Sequence, residues 1–549
     1  MKGICIPFAE IPQITRLFTT YLNDFDRLAS YFSHPPTEKG IGDAAGEVTL
    51  TAESRRHLVD VLRDQNERFS SDGELDGPTR RNLDRLLNGA CAIVTGQQAG
   101  LFTGPALAIY KALSAIRYAE EMTRRGIETV PIFWIATEDH DLAEVNASQW
   151  STRNGLARYE LLVAPGNEGR PVGQIGLGES VTSVVQTAAE SLDGPSAADI
   201  ARALRESYSP GETYGSAFGK LLTRILSERG LLLLDPQDPR FDRAAVPVYR
   251  AALENVDVLR GALMERSRAL EEAGYHAQVK VTHESTLLFY TIDGRREPLH
   301  AHKDGFAAGP TTFSKVELLA ALDKTPEAFT PSALLRPVVQ DTLLPTAGLV
   351  GGPAEIAYLA QSQVVYKKLL NRMPAILPRA SFTIVEPAIA RFLEQYGLEM
   401  RDLVRGRQHL RAKMEQKALP DELTKRFEVD EEAIRKCIGG YREPLERLDP
   451  TLVGSVESTE EKILSQFLKL KEKVGRAENF RSGVIDRHER ILLDSLYVNQ
   501  ELQERHLSAL PHLAAHGPQL LHEILGLIPA FGANNASGCS GQHHVLFLD

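Results

Sequence analysis

The chain has 549 residues, 43% of them hydrophobic, a length too great for one ordinary core, so two or three folded units are expected. Its 62 lysines and arginines against 73 aspartates and glutamates leave a net charge of -11, which argues against nucleic acid as a partner. No run of about 18 apolar residues occurs, and the start, MKGICIPFAEIPQITRLF, lacks the pattern of a signal peptide, so a cytoplasmic protein with no membrane partner is expected.

Four cysteines, Cys5, Cys91, Cys437 and Cys539, lie far apart without a C-x-x-C pair, which argues against a disulfide framework and a cysteine zinc site. From the start to about residue 390, short apolar strands alternate with helical stretches, the pattern of an α/β sheet. The candidate strands Cys91–Thr95, Val130–Ala136, Leu231–Asp235 and Ala375–Pro378 are nearly all apolar, as parallel strands covered on both faces are.

The first of these strands runs into VTGQQAGLFTGPALAIYK, residues 94–111, where Gly96, Gly100 and Gly104 recur every fourth position and Pro105 marks a first helical turn. Neither the P-loop nor the G-x-G-x-x-G spacing is met. A glycine loop feeding a helix N-terminus still offers backbone N–H groups to an anion. Gln97, Gln98 and Thr103 add neutral donors, and Lys111 lies two turns into the helix. The alternative is a tight connection that holds nothing.

The next strand, in TVPIFWIATEDHDLAEVN (residues 129–146), ends abruptly in Glu138, Asp139, His140 and Asp141. Ligands of parallel sheets gather at the carboxyl ends of strands, so the donors of one exit and the acids of the next are expected to share a crevice. Such a cluster can take a proton from an amine, coordinate Mg2+, or hold an ammonium or sugar hydroxyls. A solvated turn with Asp139 or Asp141 as N-cap is the plainer reading. No zinc site is expected, since His140 has no H-x-x-x-H companion.

Two hairpins are expected, at residues 159–180 and 286–300, the second turning at Asp293-Gly294. A third glycine-to-helix junction follows at Gly348, Gly351, Gly352 and Pro353, with Glu355, Tyr358 and Gln361 on nearly one helix face and Gln340, Asp341 and Thr342 just before it. After Pro387 strands give way to long charged helices. Between Glu457 and Arg505 an apolar residue falls at every seventh position through Ile463, Leu470, Ala477, Val484, Ile491 and Val498, half of a coiled-coil seam. One continuous helix here would span on the order of 70 Å and need a neighbour, in cis or from a second subunit. The tail is a polar, glycine-rich loop with His543-His544, read as an exposed pair, then an apolar strand at Val545–Leu548 that returns to the core.

TGQQAGLFTGPALAIYK, FWIATEDHDLAEVN and GLVGGPAEIAYLAQ, in this order and followed by LQERHL and HHVLFLD, closely resemble the cysteine ligase family of bacillithiol biosynthesis from end to end. The resemblance implies an α/β, Rossmann-like, nucleotidyltransferase-type parallel-sheet core over residues 1–390, with connecting insertions near 150–225 and 275–330. It implies a long α-helical coiled-coil domain over 391–510 that makes a homodimer, and residues 511–549 return to the core. The reaction implied is addition of L-cysteine to the amine of glucosaminyl malate, giving bacillithiol.

Gln97, Gln98, Thr103, Gly104, Tyr110 and Lys111 match the family's first motif, Glu138, Asp139, His140 and Asp141 with Asn146 the second, and Gly351, Gly352, Pro353 and Glu355 the third. The expected catalytic set is Asp139, His140, Glu138, Asp141 and Lys111; the others, Pro353 apart, are expected to bind substrate or anion. Related synthetases carry H-x-G-H where this chain has Phe102-Thr103-Gly104-Pro105. ATP or another nucleotide, with Mg2+, is the candidate activator, and the residues do not choose among them. Other readings are a nucleotide-binding coiled-coil adaptor and a synthetase-like adenylating enzyme of different specificity.

Overall fold

The structure, a computed structural model, describes residues 2–153, 155–303, 305–417, 421–529, 531 and 541–548. Its strands are β1 (Lys2–Pro7), β2 (Cys91–Gln97), β3 (Thr129–Ile135), β4 (Ala147–Thr152), β5 (Gly155–Glu160), β6 (Leu232–Leu234), β7 (Ser285–Ile292) and β8 (Arg295–His302). The remainder are β9 (Gly305–Ala308), β10 (Thr311–Phe313), β11 (Phe329–Pro331), β12 (Thr346–Gly351), β13 (Ala375–Pro378), β14 (Phe382–Val385) and β15 (Gln542–Phe547).

The central sheet is parallel throughout, in the order β13-β12-β2-β3-β6. Chain order therefore reverses between β2 and β12, and a crevice opens at the carboxyl ends of strands that diverge in this way. Side chains of β3 alternate between two apolar clusters, Ile132 and Trp134 in one, Phe133 and Ile135 in the other. Burying each such side chain contributes roughly 1.5–3 kcal/mol, and the near-continuous apolar run is what commits the strand to the middle of the sheet. At the exit of β2, a Cβ on Gly96 would come 2.8 Å from the Trp134 carbonyl oxygen, so glycine there allows the close approach of β3.

An antiparallel sheet of order β10-β9-β8-β7-β11 is inserted before β12, with its β7–β8 turn at Asp293 (φ 50°) and Gly294 (φ 79°) as expected. The earlier hairpin is displaced from the expectation. It pairs β4 with β5, and residues 159–180 hold the end of β5 and a short turn at Val172–Gln174. The apolar pattern after Tyr159 comes from packing of that turn, not from a strand.

β15 inserts between β1, antiparallel to it, and β14, parallel to it. This central position buries His543 and His544, against the expectation of an exposed pair. His543 Nδ1 and Nε2 meet Ser381 Oγ (2.7 Å) and Thr383 Oγ1 (2.9 Å), and burial lowers its pKa to about 4, which keeps it neutral. Cys5, in β1, is disulfide-bonded, where no disulfide was expected; Cys91 and Cys437 are free thiols, and Cys539 lies outside the described residues.

The helical arm departs from one continuous rod. Val453–Ser482 is a helix of 30 residues, about 45 Å at ~1.5 Å per residue, and the chain then breaks at Gly483 (φ 63°) before Val484–Leu496. The first of these packs against Asp421–Gly439, where Phe427 and Phe467 rings lie 5.2 Å apart. The heptad residues Ile463, Leu470 and Val484 face outward, 39%, 50% and 37% exposed, while Val498 is buried in a short turn beyond the helix. Among the described residues no helix is long and apolar enough to cross a membrane.

Candidate functional site

A crevice of about 590 Å³ opens at the carboxyl ends of β2, β3 and β12, lined by Gln97 and Gln98 from the first, Glu138, Asp139 and His140 after the second, and Gly352 and Glu355 after the third. Lys111 spans the switch point. Its Nζ donates to Gly96 O (2.8 Å) and Gln97 Oε1 (2.7 Å) and pairs with Glu355 Oε2 at 2.7 Å. Burial lowers its pKa and Glu355 counters that, so the ammonium is already neutralised within the protein.

The two adjacent exits are joined directly, Gln98 Nε2 donating to Asp139 Oδ2 at 3.0 Å and to Glu144. Asp139 Oδ1 accepts from the His140 backbone N–H at 2.7 Å. Burial works to raise the Asp139 carboxyl, but hydrogen bonds from His140 and Gln98 and the charge of Arg296 hold it well below the carboxylate range. A group so stabilised as an anion is a poor proton acceptor. His140 Nδ1 stands between Arg296 Nη1 (3.0 Å) and Asp139 Oδ1 (3.4 Å), which fixes the ring at the crevice wall.

Glu138 has the opposite character to Asp139. It is 6% exposed, Oε1 accepts from Trp134 Nε1 (3.2 Å), and Oε2 has no hydrogen-bond partner. Burial raises its pKa, with Arg336 and Arg296 opposing. Among the three acids of the strand end, it is the one placed to take a proton.

Four arginines complete the lining, and none is named as a site residue from the sequence, although Arg336 opens the segment that holds the third junction. Arg296, from β8, is fixed by Thr330 Oγ1 (2.8 Å) and Pro331 O (2.8 Å) and stacks 3.7 Å from the Phe289 ring centroid. Arg336 donates only to neutral oxygens, Gln340 Oε1 (3.1 Å) and Tyr358 OH (3.3 Å), and no carboxylate among the described residues pairs with it. Arg379, after β13, pairs with the fully buried Glu504 at 2.7 Å; Arg505 follows Glu504 and contacts Glu501 at 3.4 Å. The arginines stand in unrelated local sequences, so only the assembled fold reveals the set.

Several expected site residues do not reach the crevice. After Gln98 the glycine loop turns inward, with Leu101, Phe102 and Thr103 buried and positive φ at Phe102 (55°), Thr103 (67°) and Gly104 (65°). Phe102 N donates to Tyr208 OH (2.9 Å) and Ala106 N to Leu507 O (2.8 Å). The N–H groups expected to cradle an anion therefore serve the protein's own packing, and the loop is a plug. Tyr110 is buried against Phe382, ring centroids 5.2 Å apart, with its hydroxyl pKa raised by burial. Asp141 caps the helix Leu142–Val145, accepting from Glu144 N at 3.3 Å, the plainer of its two readings. Asn146 Nδ2 donates to Glu160 at 3.3 Å, and Gly351 ends β12 without lining the crevice. Of the residues before the third junction, Gln340 and Asp341 lie buried within the helix Arg336–Leu343, and Gln361 bonds to Val279. Among the described residues no group of three or more histidines, cysteines or acids is placed to hold a metal ion.

Residues 1–380 match the family description "Bacillithiol biosynthesis BshC, N-terminal Rossmann-like domain", and residues 382–535 match "Bacillithiol biosynthesis BshC, C-terminal coiled-coil domain". Similar curated proteins include two named "Putative cysteine ligase BshC". The one from Koribacter versatilis (strain Ellin345) is 38% identical over 543 residues, 99% of each chain. The one from Solibacter usitatus (strain Ellin6076) is 34% identical over 522 residues, 95% of this chain and 96% of that one. With a parallel Rossmann-like sheet, a helical arm and full-length likeness to these proteins, the chain belongs to the BshC family of bacillithiol biosynthesis.

Proposed function

We propose that the chain is a cysteine ligase that joins the carboxyl carbon of L-cysteine to the amine of glucosaminyl malate through an amide bond. The observation that carries this reading is the meeting, in one crevice, of a buried carboxyl with a raised pKa, Glu138, and an arginine that pairs with no carboxylate among the described residues, Arg336, beside Arg296, whose ion pair with Asp139 spans 3.6 Å. Amide formation from a carboxylate requires activation; ATP or another nucleotide, when bound, supplies it by phosphorylating or adenylylating that carboxylate. Arg336, Arg379 and Arg505 are the groups to hold the negative charge this chemistry brings. With the carboxylate so activated, the amine nitrogen would displace the activating group from its carbon, and Glu138 would take the amine proton. Arg296, with the His140 ring beside it, offers positive charge to the carbonyl oxygen as it becomes negative.

Incubation of purified protein with L-cysteine, glucosaminyl malate and ATP, followed by mass spectrometry of the thiols, tests this. Bacillithiol is the expected product; tight nucleotide binding without it would leave the adaptor reading in place. The exposed seam of Ile463, Leu470 and Val484 supports a homodimer formed through the arms, with a light-scattering mass near twice 60.5 kDa.

A further inference from the structure

Glu138 borders a second space. A chamber of about 80 Å³ shares Trp134, Glu138 and Pro331 with the crevice and is also lined by Asp242, Tyr249 and Glu327. Its lining holds three carboxylates and four aromatic rings, and no lysine, arginine or histidine. Two of its polar groups are almost wholly buried and unsatisfied. Tyr249 is 5% exposed with a hydroxyl that bonds to none of the described residues, and Glu138 Oε2 is equally without a partner. Asp242 likewise makes no hydrogen bond or ion pair among the described residues. Burial, then the charges of Glu327 and Asp238, push its carboxyl up to about 6, so the repulsion there is uncompensated.

We propose that this chamber seats the α-ammonium group of the amino-acid substrate, its N–H donors meeting Asp242 and the Tyr249 hydroxyl, which leaves Glu138 Oε2 open toward the attacking amine. The carboxyl end then extends past Glu138 into the crevice toward Arg296 and Arg336, where the reacting carbon is required. A primary ammonium fits better than a hard metal ion, which wants six or more oxygens rather than aromatic walls, and better than water, which brings no charge to offset the acids. The chamber is too small for a sugar ring, leaving the amine of the second substrate to enter from the crevice. The assignment rests on the ligase reading above, in which an amino acid and an amine meet at Glu138.

Titration calorimetry on the full-length protein tests it with three probes: L-cysteine, 3-mercaptopropionate, which lacks the ammonium, and cysteamine, which lacks the carboxylate. Asp242→Asn is expected to weaken cysteine and cysteamine binding ~10-fold and to leave 3-mercaptopropionate unchanged, with Tyr249→Phe a smaller loss of the same pattern. Equal weakening of all three probes, or no change in any, overturns the proposal; unchanged binding of glucosaminyl malate by both variants shows that they fold. Cysteamine binding that depends on Asp242, in a protein that makes no bacillithiol, upholds the chamber while removing the ligase reading.

Discussion

The crevice and the helical arm solve the problem of charge and apolar surface in opposite ways. In the crevice, Lys111 is closed against Glu355, Arg379 against Glu504 and Arg296 against Asp139, so most charge is neutralised inside the protein, whereas Glu138 and Arg336 have no counter-ion within salt-bridge distance among the described residues. On the arm, Arg435 and Arg447 make ion pairs with helix neighbours in water, while Leu470 is left half-exposed. Buried charges hold their geometry because moving them is costly, whereas exposed pairs are worth little and surface apolar residues await a partner. On the proposed reading, chemistry belongs to the first arrangement and association to the second.

The sharpest way to break that contrast is Glu138→Gln. It keeps the shape and removes the proton acceptor, and ligase kcat is expected to fall by roughly 10²–10⁴. As the proposed base Glu138 acts ionised, so with a pKa raised by burial the acid limb of the rate profile is expected above the ordinary carboxylate range. An unshifted acid limb, or full activity of the variant, removes Glu138 from the reaction. Next in size, Arg296→Lys loses the fork that holds His140 and Pro331 together, and kcat/KM is expected to drop about 10- to 100-fold. Asp139→Asn in parallel separates holding from proton transfer, since it should lower activity without moving the acid limb.

On the arm, Ile463→Glu with Leu470→Glu should halve the light-scattering mass and leave the melting temperature nearly unchanged, because both side chains already face outward. A dimer that persists would place the interface elsewhere. The smallest effect is expected at the junction, where Glu386 accepts from His512 (2.6 Å) and His516 (2.9 Å). Burial opposes its ionisation, but the two histidines win and its pKa is lowered to about 2. A depressed folded-state pKa means stability present above the unfolded value, near 4.5, and lost as pH falls toward 2. Glu386→Gln should therefore cost roughly 1 kcal/mol at neutral pH and nothing near pH 2, read by urea unfolding.

Much of this arrangement is legible in the sequence because it rests on local rules. An apolar run that stops dead at Glu138, and Asp293-Gly294 between alternating residues, each have one structural solution. What escapes such reading depends on distant partners. The glycine loop looks like an anion cradle until Tyr208 and Leu507 arrive to occupy its N–H groups. His543 looks exposed until β1 and β14 close on either side of it. The heptad count runs through Gly483 because a seven-residue spacing is blind to one left-handed residue. Of the crevice arginines, Arg505 alone stands in a quoted motif, LQERHL, and each becomes meaningful only through the place to which its segment delivers it.

The threading of β15 between β1 and β14 has a consequence for how the protein is made. Strand β1 leaves the ribosome more than five hundred residues ahead of its neighbour β15, with its edges meanwhile open to wrong pairing. The Glu504 carboxylate that steadies Arg379 is also translated long after the crevice strands, so a chain that stops short of it holds a crevice without its anchor. Competence is thus deferred until Glu504 and β15 have been made, and a product clipped ahead of Glu504 is expected to be inert even with every residue from Gln97 to Glu355 intact.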